Sequence, residues 1–161
     1  MNEQASQQIV EEERKEDASA ESIGYLLRRA HRTFNKVLQS RLKTENITIG
    51  MWHYLRELWE EDGIDQRDLS RRTSNLETSV VSAMALLEKH GLVWREQDSK
   101  DRRRKFVHLT DRGRALQHSL SPHARETNRI ALQGLGKEAE EMLSTLLKRI
   151  TDNLERYIQK T

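Results

Sequence analysis

The 161-residue chain has no cysteine, one proline, seven glycines and only 5% aromatic residues. Without cysteine there is no disulfide framework, no thiolate metal site and no thiol redox sensor. With Pro122 as the sole proline and glycine sparse, turns are few and the helices should be long. With 34% charged residues, the composition suits a helical protein with solvated faces better than an aromatic-rich sandwich. The longest strongly apolar stretch, near Val80–Leu87, is too short to span a bilayer. The opening Met1-Asn2-Glu3-Gln4 has no apolar core of the kind a signal peptide carries. The expectation is a cytoplasmic protein with no membrane partner. A Gly-rich phosphate loop, a nucleophile elbow and a metalloprotease helix motif are also missing, so no catalytic residues and no cofactor are expected. His31, His53, His90, His108, His118 and His123 show no tight ligand spacing, so no metal site is expected.

The net charge of +2 conceals an asymmetry. Residues 1–21 hold seven acids and two bases, a net of −5; the remainder holds 19 acids and 26 bases, a net of +7. A basic body favours an anionic partner such as nucleic acid. Residues 1–20 are polar with little periodicity and read as a flexible acidic tail. From Ser22, apolar residues from Ile23 to Leu42 recur at three- and four-residue steps, predicting an amphipathic helix of about six turns. Thr48 can cap a second helix, ended by Asp62-Gly63. A short helix around Gln66–Arg72, a polar turn Thr73-Ser74-Asn75 and a helix from Glu77 to His90 follow, with Gly91 as the stop. The period then changes. Leu92–Glu96 and Lys105–Leu109 read as strands of a hairpin around the charged loop Asp98–Arg104. Thr110 can cap the next helix, which should kink or restart at Pro122. Gly134-Leu135-Gly136 separates it from a last amphipathic helix.

The order helix, turn, helix, hairpin is the winged helix-turn-helix plan. A helix fits the major groove of DNA, and a basic loop beside it reaches phosphates or the minor groove. The fold class is mainly α with a small β-hairpin wing (α+β), with long N- and C-terminal dimerisation helices. The divisions expected are the tail 1–20, an N-terminal dimerisation helix 21–46, the DNA-binding domain 47–110 and C-terminal dimerisation helices 111–161. A homodimer follows because the middle is too small to cover the apolar stripes of both end helices; an intramolecular bundle is the other solution. The candidate DNA-binding residues are Arg71, Arg72, Asn75, Thr78, Ser79 and Ser82 around the second helix, and Lys100, Arg102, Arg103, Arg104 and Lys105 in the wing. Thr78 and Ser79 are equally plausible as helix caps. Residues 95–114 hold eight bases and four acids, a phosphate-binding footprint at a hairpin tip.

Three stretches then occur in order: Leu87-Glu88-Lys89-His90-Gly91-Leu92-Val93, Asp101-Arg102-Arg103 and Leu109-Thr110-Asp111-Arg112-Gly113. Together they resemble the MarR family (multiple antibiotic resistance regulators) over about residues 22–160. The resemblance implies a dimer held by its terminal helices, with recognition helices in successive major grooves of double-stranded DNA. It implies that Asp101 supports the wing while Arg103 approaches DNA; an Asp101–Arg103 pair would also order the loop without DNA. The sequence departs from the family where recognition helices often carry Arg or Asp-Arg: here stand Ser82 and Ala85-Leu86. Sequence specificity then shifts towards the wing, Arg71, Arg72 and DNA shape. The resemblance also implies release by a small aromatic carboxylate. The matching region holds Arg28, His31, Arg32, Thr48, Met51, Trp52 and His53, with Trp52 alternatively a core residue. The function these readings give is a repressor on a pseudo-palindromic operator. A winged-helix interaction dimer that does not read DNA, and more remotely a small-molecule enzyme, are the alternatives.

Overall fold

The computed structural model describes residues 22–160. The acidic tail expected over 1–20 lies outside the described residues. They divide into two compact units, one ending at His123 and one beginning at Ala124.

The first unit opens with α1 (Ile23–Leu42), where the Ser22 hydroxyl accepts from the Tyr25 amide at 3.3 Å. A 3-10 turn (Lys43–Glu45) leads to α2 (Ile49–Glu60), capped as expected by Thr48, whose Oγ1 accepts from the Met51 amide at 3.2 Å. Gln39 staples the two helices: its Nε2 donates to the Ile47 carbonyl at 3.1 Å and its Oε1 accepts from the Ile49 amide at 2.7 Å. These contacts satisfy groups that the helix start leaves open.

Next come β1 (Ile64–Asp65), α3 (Gln66–Arg72), α4 (Glu77–Lys89), β2 (Val93–Gln97) and β3 (Lys105–Leu109). The hairpin β2–β3 is present, with Val93 opposite Leu109 and Gln97 opposite Lys105. Two details differ from the sequence reading. β2 starts at Val93 rather than Leu92, because the Leu92 backbone is taken up elsewhere. Its amide donates to Leu87 at 3.0 Å and its carbonyl accepts from Thr110 at 3.0 Å. The sheet also gains a third strand, β1, antiparallel to β3, giving the order β1-β3-β2. Two residues are too short to produce a readable period. Gly91 stops α4 as expected, at a left-handed φ of 66° that a side chain disfavours.

The core of this unit joins one face of each element: Leu38 and Leu42 from α1, Met51, Leu55 and Leu58 from α2, Leu69 from α3, Val80, Met84 and Leu87 from α4, and Val93, Val107 and Leu109 from the sheet. It fixes α3, α4 and the wing as one body.

The next helix, α5 (Asp111–Ala131), removes one of the two outcomes expected at Pro122. It does not restart at Pro122 but continues as helix past it. A proline removes one amide donor, and the remaining hydrogen bonds of a 21-residue helix are enough to carry it through. In the second unit, α6 (Lys137–Ile158) follows the Gly134–Gly136 turn, and none of its residues is buried.

Candidate nucleic-acid interface

Asp65 anchors the helix-turn-helix. It caps α3, accepting from the Arg67 amide at 2.8 Å through Oδ1, while Oδ2 accepts from Arg104 Nε at 2.7 Å. Burial pushes this carboxyl upward, but the hydrogen bonds from Arg104 and Arg67 and their charges outweigh it, and its pKa lies below the ordinary value. The turn is closed by Ser70, whose hydroxyl donates to the Asn75 carbonyl at 2.5 Å, and by the Asn75 amide, which donates to the Ser70 carbonyl at 3.1 Å. Tyr54 lies buried beneath this turn; burial pushes its phenol up against the opposing effect of hydrogen bonds with Thr73 and Asn75. Arg72 is paired with Glu61 and Arg71 with Asp68. Arg71 stays exposed on the surface.

Helix α4 begins at Leu76 with no side-chain cap. The capping reading of Thr78 and Ser79 therefore does not hold: both are exposed, and among the described residues neither hydroxyl makes a hydrogen bond. The Ser82 hydroxyl donates to the Thr78 carbonyl at 3.2 Å. The Ser79 amide donates to the Leu76 carbonyl at 2.9 Å, while among the described residues the Glu77 and Thr78 amides make no hydrogen bond and stay open to a phosphate at the helix N-terminus.

The wing is ordered by its two aspartates. Asp98 Oδ1 accepts from the Lys100 amide at 2.7 Å and the Asp101 amide at 3.3 Å, and its pKa is lowered chiefly by the first of these bonds. Asp101 Oδ1 accepts from the Arg103 backbone amide at 3.0 Å. The Asp101–Arg103 contact thus uses the main chain and leaves the Arg103 guanidinium unengaged. Among the described residues, the charged groups of Lys100, Arg102, Arg103 and Lys105 have no partner. Arg104 differs from its neighbours. It is held by Asp65, lies 4.0 Å from Asp98 and stacks 5.0 Å above the Phe106 ring, fastening the wing to the start of α3.

The residues expected around a ligand do not form one cluster. Met51 and Trp52 are core, with Trp52 edge-on to Trp59 at 5.4 Å. Thr48 is occupied as a cap. His31 and His53 do come together, ring centroids 6.5 Å apart. Burial, then the charges of His31 and Arg56, lower the His53 pKa. Arg28 and Arg32 are exposed on α1, with Arg28 5.9 Å from the centre of the Tyr25 ring. A separate cavity of about 370 Å³, lined by Leu58, Trp59, Leu109, Ala115 and the Asp62–Arg114 ion pair, was not indicated by the sequence.

A family model described as the MarR family matches residues 47–105. The homoprotocatechuate degradative operon repressor of Escherichia coli is 29% identical over 107 residues, covering 66% of this chain and 72% of the repressor. The structure of a probable transcriptional regulator from Pseudomonas aeruginosa is 32% identical, covers 81% of this chain and 97% of its own, and superposes with a TM-score of 0.74. The chain belongs to the MarR family. Bordetella bronchiseptica BpsR, whose DNA binding is regulated by 6-hydroxynicotinic acid, is 25% identical over 80% of this chain and 98% of its own, with a TM-score of 0.75. These relatives are transcriptional regulators rather than enzymes.

The MarR stretches acquire physical roles here. Leu87 and Leu92 are core, Glu88 pairs with Arg95 of β2, and Gly91 turns the chain. Thr110 Oγ1 donates to the Gly91 carbonyl at 2.7 Å and accepts from the Gly113 amide at 3.0 Å, joining α4 to α5. Arg112 donates to the His90 carbonyl at 3.0 Å. Asp65, Glu61 and Asp62 were missed as supports; an aspartate just before a predicted helix is the cap signal that could have found Asp65.

Proposed function

We propose that this MarR-family regulator is a cytoplasmic repressor that grips a pseudo-palindromic operator as a homodimer. The observation that carries the reading is the wing: four cations without partners, held on an aspartate-braced loop beside an uncapped recognition helix. Such a loop supplies phosphate contacts, while the N-terminal part of α4 enters the major groove. Arg103 leads the wing contact, and Arg104 positions it. Arg71, Asn75, Thr78, Ser79 and Ser82 complete the candidate surface, and Arg72 supports it through Glu61.

The dimer is supported by α6, on which Leu146, Leu154, Tyr157 and Ile158 are all at least half exposed in the single chain. A second copy covers such a stripe, and a twofold dimer matches half-sites about 34–36 Å apart. Release by a small aromatic acid is supported by BpsR, whose DNA binding is regulated by 6-hydroxynicotinic acid, and by the His31–His53 pair, with Arg28 and Arg32 nearby in sequence on α1. Thr48 caps the helix that carries His53, and Met51 and Trp52 of that helix are core residues.

The test is a selection of bound duplexes from random DNA. It is followed by titration at two salt concentrations, with and without a panel of aromatic acids at roughly millimolar concentration. A specific complex weakens steeply with salt. A flat response, or no selected sequence, overturns the operator reading. Acids that neither bind nor weaken the complex overturn the ligand reading alone.

A further inference from the structure

Resting on the DNA-binding reading above, we infer that α4 reads its half-site through the 5-methyl groups of thymines, with Val81 and Ala85 as the reading residues. The helix period sets Thr78, Ser82 and Ala85 opposite the buried Val80, Met84 and Leu87, with Val81 on the flank of the same outward face. From Leu76 to Glu88 this helix carries no cation. The bidentate arginine or lysine contact to guanine therefore has no donor in the first three turns, nor is there an asparagine or glutamine for adenine. Ser82 spends its proton on the Thr78 carbonyl. Beside the free hydroxyls of Thr78 and Ser79, the outward face offers methyl groups. Val81 is 47% exposed, an apolar side chain left in water although the core lies one residue away at Val80. Ala85 is exposed as well.

The surroundings indicate DNA rather than a protein as the occupant. Val81 lines a single cleft with Arg67, Arg103 and Lys105, with Glu77 and Asp65 as the acids on the same lining, so the apolar spot is bordered by charged groups that include two unpartnered wing cations. In the major groove, the apolar feature that borders phosphates is the thymine methyl. A protein partner at Val81 would have to desolvate the charged groups that line the same cleft.

The experiment uses the full chain and the duplex recovered by selection. Each thymine is replaced in turn by deoxyuridine, which keeps the base pair and removes only the methyl. At one or two positions per half-site, affinity should fall about fourfold, the worth of one buried methyl-sized group. The substitution Val81→Ala should cost a similar factor on the thymine operator and abolish the deoxyuridine effect at its own position. Because Val81 is exposed, the variant should keep the wild-type melting temperature, which is measured alongside. Replacing guanine by 7-deazaguanine under α4 should change little. If the operator is bound tightly and deoxyuridine is neutral everywhere, the thymine inference is overturned and the regulator reading stands. If Val81→Ala leaves the deoxyuridine penalty intact, Val81 is not the reading residue. Failure to bind any duplex overturns both, and the salt titration separates that outcome from the others.

Discussion

Gly113 shows how a single hydrogen atom can be a structural requirement. A Cβ built there would lie 2.1 Å from the Leu92 carbonyl oxygen, and that oxygen is fixed by the Thr110 amide. The first turn of α5 can approach the turn after α4 only if this residue has no side chain. The Gly113 carbonyl also accepts from Trp59 Nε1 at 2.9 Å, so a shift here is felt in α2. Gly113→Ala should therefore destabilise the fold by about 3 kcal/mol or more, read as a lowered urea midpoint; an unchanged midpoint would mean the close approach is dispensable. His53 gives a second test. Its pKa is pulled below 6.5 by burial first, then by His31 and Arg56. The unfolded chain takes up this proton near pH 6.5 and the folded chain only at lower pH. The stability His53 contributes is thus full above 6.5 and is lost as pH falls through the lowered value. His53→Gln should flatten the loss of stability as pH falls below about 6.5, followed by denaturant midpoints at stepped pH.

Among the elements, the wing separates residues that touch DNA from residues that hold the loop. Arg103 is unpartnered, whereas Arg104 is tied to a buried carboxylate. Arg103→Ala should leave the melting temperature unchanged and reduce the salt slope of DNA binding by about one unit per wing. Arg104→Ala should lower the melting temperature, because Asp65 is then buried without its cation, while its main effect on DNA is a loosened wing. Equal behaviour of the two variants in both measurements would remove the distinction. The sequence could not draw it, since the four consecutive basic letters at 102–105 look alike until Asp65, 39 residues before Arg104, is brought beside one of them. Local signals were legible: Thr48 and Gly91 act as the sequence predicts, and the hairpin period of 105–109 is a strand. Long-range pairing was not. β1 has two residues and no period, and at Pro122, where the sequence reads as a kink or a restart, the helix runs on without a restart. At the candidate ligand site, Trp52 could be a pocket wall or core from its letter alone; its packing on Trp59 decides for core.

Across the whole molecule, charge and apolar surface point to the same assembly. Outside residues 1–21 the chain carries a net of +7, and four wing cations are unspent. Two wings acting together would double the phosphates reached, and the salt dependence of affinity scales with that number. Leu146 and Leu154 lie eight residues apart on one face of α6, 50% and 60% exposed in the single chain. Placing glutamate at both positions puts two charges per chain into the apolar contact a dimer would form there, at little cost to a chain that leaves them in water. The double variant Leu146→Glu, Leu154→Glu should sediment as a monomer with its far-ultraviolet helix signal retained. Its residual DNA binding should show about half the wild-type salt slope, because only one wing then engages. A variant that remains dimeric, with an undiminished slope, would show that the α6 stripe is not the contact. A variant that becomes monomeric yet keeps the full slope would show that one head already makes every phosphate contact, and that the pairing of heads serves something other than grip.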